Sequence, residues 1–413
     1  AVTSGLITRF GSIDPTEGGA TSRLNASLKV ESNLHHGHML RQQVYFSKYD
    51  FNLFSNFTFY KNDPVNGDKI RQREQRKILG YNSAIFHSAH VGKMYFNTEA
   101  GAQIRYDHVK NNELSNVSFD NQLLKRYALG DVNELNMAVY VNETIDVSKK
   151  IRMNLGLRED YFLFDYTDKL NPMQQEAPVS KTILSPKFNL YYTLNQQAQL
   201  FFLSGKGFHS NDTRVVVTQK GHEILPPAYG AEVGGNFKPA NSLLVTTSLW
   251  WLYLKQEFAY VGDEAVVEPS GKTQRVGLDL GLRYDINKYL NADADFNYSI
   301  PRAIGVASNE NRIPLAPTIT SIGGLSFKTN IGLSASLRYR YIADRPANEL
   351  NTIVAKGYFI NDAVLEYSMK KFVFGISAEN IFNQTWKEAQ FETESQLKGE
   401  TVPVTEIHFT SGT

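Results

Sequence analysis

"TQRVGLDLGLRYDINKYLNADADFNYSI", residues 273–300, separates into two interleaved sets. Val276, Leu278, Leu280, Leu282 and Tyr284 alternate with Arg275, Gly277, Asp279, Gly281, Arg283 and Asp285. After Asn287–Lys288–Tyr289 the alternation restarts: Ala292, Ala294, Phe296 and Tyr298 against Asn291, Asp293, Asp295 and Asn297. Successive side chains of a strand point to opposite faces, so the stretch reads as an antiparallel hairpin with one apolar and one charged face. A packed soluble core rejects Arg and Asp in the middle of long strands, because burying charge is costly. The alternation instead fits a wall with lipid on one side and a polar lumen on the other. A closed barrel satisfies its backbone hydrogen bonds internally and so crosses a membrane without helices.

Composition supports this by exclusion. The chain has 413 residues, with Lys+Arg 43 against Asp+Glu 42, net charge +1. That balance lacks the basic excess of a nucleic-acid binder, and no nucleic acid is expected as a partner. There is no cysteine, which excludes disulfide frameworks and thiolate chemistry. Mean hydropathy is −0.34, and no apolar run approaches the roughly 20 residues of a membrane helix. An alternating barrel escapes that test, because its average hydropathy stays low. "AVTSGLITRFGSIDPTEGG" lacks the basic and apolar regions of a signal peptide.

Period two recurs along the chain and predicts roughly sixteen strands, near 21–31, 39–58, 70–86, 93–108, 133–146, 150–164, 181–194, 198–208, 226–238, 243–260, 273–287, 289–299, 317–328, 331–343, 356–369 and 371–381. Short connections such as "DVSKK", "LNQQA", "NKY" and "MKK" alternate with long ones. The long ones include "YKNDPVNGD", "HVKNNELSNVSFDNQLLKRYALGDV", "HSNDTRVVVTQKGHEILP" and "ADRPANELNTIVAK". Tight turns at one end and long loops at the other are the signature of an up-and-down outer-membrane barrel. "LLVTTSLWWLYLKQEFAY", from Leu243 to Tyr260, is long enough to project above the bilayer. Tyr191, Tyr192, Tyr289, Tyr367 and Phe372 lie beside short turns, where an aromatic girdle belongs. No repeat of 40–50 residues recurs, which argues against a propeller.

Four stretches carry a family likeness: "NLFSNFTFYKNDPVNGDKIRQREQRKILGYN", "LSPKFNLYYTLNQQAQLFFLSGKGFHSNDTR", "LPPAYGAEVG" and "ISAENIFNQTW". In order and spacing they resemble the β-barrel of TonB-dependent outer-membrane receptors, over nearly the whole chain. The first is similar to the family's Gly-Asp strand with spaced Gln and Arg. The second is similar to its Ser-Pro-Lys hairpin, which ends in Gly-x-Gly-Phe-His-Ser-Asn-Asp. The resemblance implies a multi-pass protein of the bacterial outer membrane, in contact with its lipid. It also implies coupling to the TonB–ExbB–ExbD complex and import of a scarce, bulky extracellular solute, with a ferric siderophore as the default. It implies an N-terminal plug domain, a TonB-gripped box and about 22 strands. Against that pattern, residues 1–413 read as one partial barrel domain, a fragment without plug, early strands or last strand. The final "TEIHFTSGT" falls where the last strand should start down through the membrane.

The site expectations follow. His209, Asn211, Asp212 and Arg214 sit where "GFHSND" leaves the bilayer for a long outer loop. They read either as ligand contacts at the mouth or as turn chemistry shaping the loop. Glu232, Arg275, Asp279, Arg283, Arg338 and Arg340 have lumenal parity, facing a plug or a substrate path. Arg338 and Arg340, toward the outer end of their strand, are placed to meet an anionic ligand. His35, His36, His38, His87 and His90 cluster in neighbouring short turns without a zinc spacing, and read as solvated turn residues. No nucleophile–base–acid set or phosphate-binding loop stands out, so no enzyme, cofactor or metal is expected. A passive porin is the alternative. The long outer loops and the receptor-like stretches speak against it.

Overall fold

The computed structural model describes residues 2, 4–218, 224–261, 266–269 and 271–412. Its main body is one 16-stranded antiparallel sheet in which each strand pairs with the next in sequence. The strands are β1 (Gly18–Asn33), β2 (His38–Ser55), β3 (Lys69–Val91), β4 (Met94–Val117), β5 (Leu123–Asp146), β6 (Ile151–Asp168), β7 (Val179–Asn195) and β8 (Ala198–Phe208). They continue with β9 (Pro227–Ala240), β10 (Leu243–Leu254), β11 (Lys272–Asp285), β12 (Leu290–Ile304), β13 (Ile319–Lys328), β14 (Leu333–Ile342), β15 (Tyr358–Met369) and β16 (Phe372–Ala378). All sixteen expected strands are present, in an up-and-down barrel wall.

The opening hairpin folds as its period dictates. Val276 lies opposite Trp251 and Ile300, Leu278 opposite Leu249 and Tyr298, and Leu282 opposite Val245 and Ala294. One apolar row therefore runs across β10–β12. The alternate rows place Asp279 between Ser248 and Asn297, and Arg283 between Leu244 and Asp293. Small residues on the lumenal face make room for aromatics. Tyr45 lies opposite Gly80, Tyr140 opposite Gly101 and Trp250 opposite Gly277. In each pair the ring occupies the space a Cβ would need.

Connections at one end are two to four residues long. In the Gly92–Lys93 turn the glycine takes φ +63°, a left-handed conformation that glycine adopts without strain. The opposite connections run to ten residues or more, with one exception. The expected long loop at 108–132 is mostly strand: β4 runs to Val117, β5 begins at Leu123, and only residues 118–122 lie between. At about 3.3 Å per residue, 24-residue strands span about 80 Å, well past a bilayer core of about 30 Å. Beyond the bilayer both faces meet water, so the period-two signal that marks a strand disappears. Register shifts at Val109/Asn112 and Leu114/Ser115 mark that outer part.

Two other expectations are corrected. The strand from Leu243 ends at Leu254, and residues Phe258–Val261 pair instead with Val266–Pro269 in a separate two-stranded hairpin. Glu257 explains the break: its backbone N–H donates to the Gly271 carbonyl, and its carboxylate pairs with Arg275. The C-terminal stretch does not join the wall. Val404–Ser411 pairs with Lys387–Ser395 in its own hairpin. That hairpin packs on loop residues near the other end of the sheet. Gln396 exchanges backbone hydrogen bonds with Thr58 and Tyr60, Lys61 pairs with Glu394 at 2.5 Å, and Arg9 donates to the Trp386 carbonyl at 2.7 Å.

Tyr192, Tyr367 and Phe372 lie exposed on the apolar face, as a girdle requires. Tyr191 has the other parity, opposite Arg152, and Tyr289 lies in a turn just before β12. Among the described residues no pairing joins β1 to β16, and both strands are exposed along their whole length.

Candidate functional site

The register sets the residues read as lumenal on the face opposite the apolar row. Glu232 stands opposite Leu203 and Trp250, Arg275 opposite Leu252 and Pro301, and Arg338 opposite Gly324 and Asp362. What sequence parity did not show is that the arginines are already paired. Arg283 grips both oxygens of Asp295 at 2.9 Å. Arg338 grips both oxygens of Asp293, its Nη2 at 2.8 Å. Arg340 pairs with Asp362 at 3.2 Å and lies over the Trp386 ring. Arg275 pairs with Glu257, and Asp279 accepts from Asn297. Such forks are strong and directional. The face on which Arg338 and Arg340 were placed to meet an anionic ligand is therefore a ladder in which wall carboxylates already engage the arginines.

The same holds on the opposite wall. Arg158 is bidentate to Asp160 at 2.7 and 2.8 Å and also donates to Gln103. Arg105 is bidentate to Asp107 at 2.7 Å. Glu232 contrasts with these. It lines a groove with Lys187, Asn189, Trp250 and Asp279, and neither Glu232 nor Lys187 has an ion-pair or hydrogen-bond partner among the described residues.

The "GFHSND" segment does more than turn. Residues after β8 bend into the lumen and form a short helix, Thr213–Thr218. Val216, Val217 and Leu225 bury against Val109, Val132, Phe162, Phe164, Tyr166 and Ile183. Burying a Val or Leu side chain is worth roughly 1.5–3 kcal/mol, enough to hold a loop against the wall. Polar contacts set the register. Backbone N–H groups of His209 and Asn211 donate to the carbonyls of Pro226 and Ile224. Asn211 donates to Gln256 at 3.0 Å, and the Thr213 hydroxyl donates to Glu134 at 2.9 Å.

Arg214 is bidentate to Asp212 at 2.9 and 2.7 Å. The pair sits in a concavity with protein on most sides, yet both side chains still reach solvent. Burial alone would raise the Asp212 carboxyl. The Arg214 guanidinium outweighs it and holds the carboxyl below the usual carboxylate range. His209, Asn211, Asp212 and Arg214 thus come together, lining a cavity of about 420 Å³ with Arg76, Asp107, Asn112 and Glu134. The residues that shape the loop also line the cavity. Sequence reading missed Arg76, Asp107, Glu134 and Thr213. The available signal was the apolar Val215–Val216–Val217 run inside an otherwise polar outer loop, which marks a segment seeking an apolar seat.

A wall with paired charges on one face, apolar residues on the other and an outer loop packed on the charged side defines an outer-membrane type of β-barrel wall. The chain belongs to the TonB dependent receptor-like, beta-barrel family, whose description matches residues 3–383. Among solved structures, the ferric citrate transporter FecA in its unliganded form is similar with a TM-score of 0.80 at 15% identity. That match covers 98% of this chain and 61% of FecA. The siderophore receptor PiuA from Acinetobacter baumannii gives 0.74 at 13% identity, covering 96% and 63%. The copper transporter OprC gives 0.70 at 16%, covering 91% and 61%. These likenesses concern the fold, and the chain spans about three fifths of each protein. No curated protein matches it.

Proposed function

We propose that this chain forms the wall of an outer-membrane importer that binds a scarce, bulky solute at its outer loops and passes it through the lumen. Energy would come from the TonB–ExbB–ExbD complex. The default solute is a ferric siderophore, or another metal complex of that size and charge. Family membership supports the class, and the proteins sharing the fold, transporters of ferric citrate and copper and a siderophore receptor, support the solute class.

The observation that carries the reading is the outer loop packed on the wall, which closes a polar cavity at Asp212–Arg214. A receptor needs such a lined surface to hold a solute at its mouth. His209, Asn211, Asp212 and Arg214 would contact the solute first. Arg338 and Arg340 would exchange wall carboxylates for acidic groups of the solute on its way in, an exchange between near-equivalent ion pairs. Glu232, Arg275, Asp279 and Arg283 would line the path or hold a gating segment.

The test is uptake of iron-labelled siderophores by cells expressing the full-length gene, with and without a functional TonB. Uptake lost without TonB supports the proposal. Uptake that persists without TonB and after collapse of the proton-motive force would assign a passive channel instead.

A further inference from the structure

His38 opens β2 and His87 lies near the end of β3, directly opposite each other in the ladder. Both have the parity of Leu40 and Ile85, on the apolar outer face at the short-turn end. Their rings stack, centroids 4.2 Å apart and planes 28° from parallel. Nδ1 of each ring is shut off from solvent without a hydrogen-bond partner. Among the described residues neither Nε2 has a hydrogen-bond partner, and neither belongs to the shut-off polar atoms. A phenylalanine pair in this place would stack equally well without leaving shielded polar atoms, which cost free energy when unsatisfied. The neighbouring row adds a charge. His87 lies opposite Thr98, and Thr98 lies opposite Glu143. The Thr98 hydroxyl donates to Oε2 of Glu143 at 2.6 Å, while Oε1 is shielded and unpaired. At strand spacing this carboxylate is roughly 10 Å from His87 and favours a cation on this face.

We propose that His38 and His87 form a two-imidazole site for a divalent late transition-metal ion, with water completing the coordination. Imidazole suits Zn²⁺, Ni²⁺ and Cu²⁺, and Cu²⁺ binds such nitrogen sites most tightly. Metal–nitrogen distances near 2.0–2.1 Å require the two nitrogens to lie about 3 Å apart. From the stacked position the two rings would turn about their side-chain bonds to bring one nitrogen of each to that separation. The bound ion would tie β2 to β3 next to the exposed edge strand β1. His35, exposed in the preceding turn, and His90, against Tyr95 at 4.6 Å, stand apart from the stacked pair. The side chain of His36 lies outside the described residues.

The probe is Cu²⁺, added to untagged protein in detergent after His35, His36 and His90 are all replaced by Ala. The expected result is one tightly held Cu²⁺ per chain, with an electron paramagnetic resonance spectrum showing coupling to two nitrogens. His38→Gln or His87→Gln should each weaken binding about tenfold or more and reduce the coupling to one nitrogen. Heat-dependent gel migration checks that each variant is folded. Absence of two-nitrogen coupling in the starting protein overturns the proposal without any further variant. So does Cu²⁺ binding unchanged in folded His38→Gln/His87→Gln protein.

Discussion

Asp293 lies across the ladder from Arg283 and is gripped by Arg338 from two strands away, while Arg283 reaches past it to Asp295. The four charges form a chain in which each cation has a partner, so a polar wall can stand in a lumen without an occupant. Because these groups reach lumenal water, each pair contributes little, at most about 1 kcal/mol. Arg338→Ala should therefore lower unfolding stability by less than about 1 kcal/mol. Paired with Asp293→Ala in a double-mutant cycle, it should show a coupling of the same small size. A coupling of several kcal/mol would mean that the pair is dry and structural. Parity alone identified the lumenal face of every one of these residues. It could not identify their partners, because those lie on neighbouring strands whose register is fixed by pairing rather than by local sequence.

At the scale of elements, the sixteen strands were legible wherever one face meets lipid, because only there does hydrophobicity alternate. They became illegible where β4 and β5 rise into water, and at the C-terminus, where "TEIHFTSGT" alternates but pairs with its own neighbour. The loop after β8 is held by three apolar side chains. Leu225→Ala should cost roughly 2–5 kcal/mol of docking, read as faster proteolysis within residues 209–226 of a barrel that otherwise stays folded. Unchanged protection would show that the loop is held by its polar contacts alone.

The C-terminal hairpin carries a pH response. His408 stacks on Phe59 and lies 3.9 Å from Glu406. Burial pushes its imidazole below the ordinary value, against a smaller upward pull from Glu406. The folded hairpin thus prefers the neutral ring. Its full stability is present above the ordinary histidine value of about 6.5 and is lost as the pH falls below that toward the folded value. Protease cleavage within residues 396–403 should rise between neutral and mildly acidic pH, and His408→Phe should flatten that rise.

For the whole molecule, the sheet ends decide what the chain can be. Among the described residues β1 and β16 each leave one edge without a strand partner, which hydrocarbon does not tolerate. The C-terminal hairpin already reaches from the β15 side, where Gln390 and Lys356 exchange hydrogen bonds, to the loop after β2. It bridges the two ends of the sheet at the long-loop side. Fold class was legible from one hairpin because lipid imposes its period on every strand. The solute was not legible, because selectivity depends on loop conformations that no local period encodes.

The central claim is that the two faces of the wall meet two different solvents, and the chain suits a direct test because it contains no cysteine. Single cysteines placed from 275 to 285, spin-labelled in reconstituted membranes, would be probed with oxygen for lipid and a charged relaxing agent for water. The account predicts strict alternation, with 276, 278, 280, 282 and 284 open to oxygen and 275, 279 and 283 open to the charged agent. Absence of a two-residue period, or water on both faces, would contradict it.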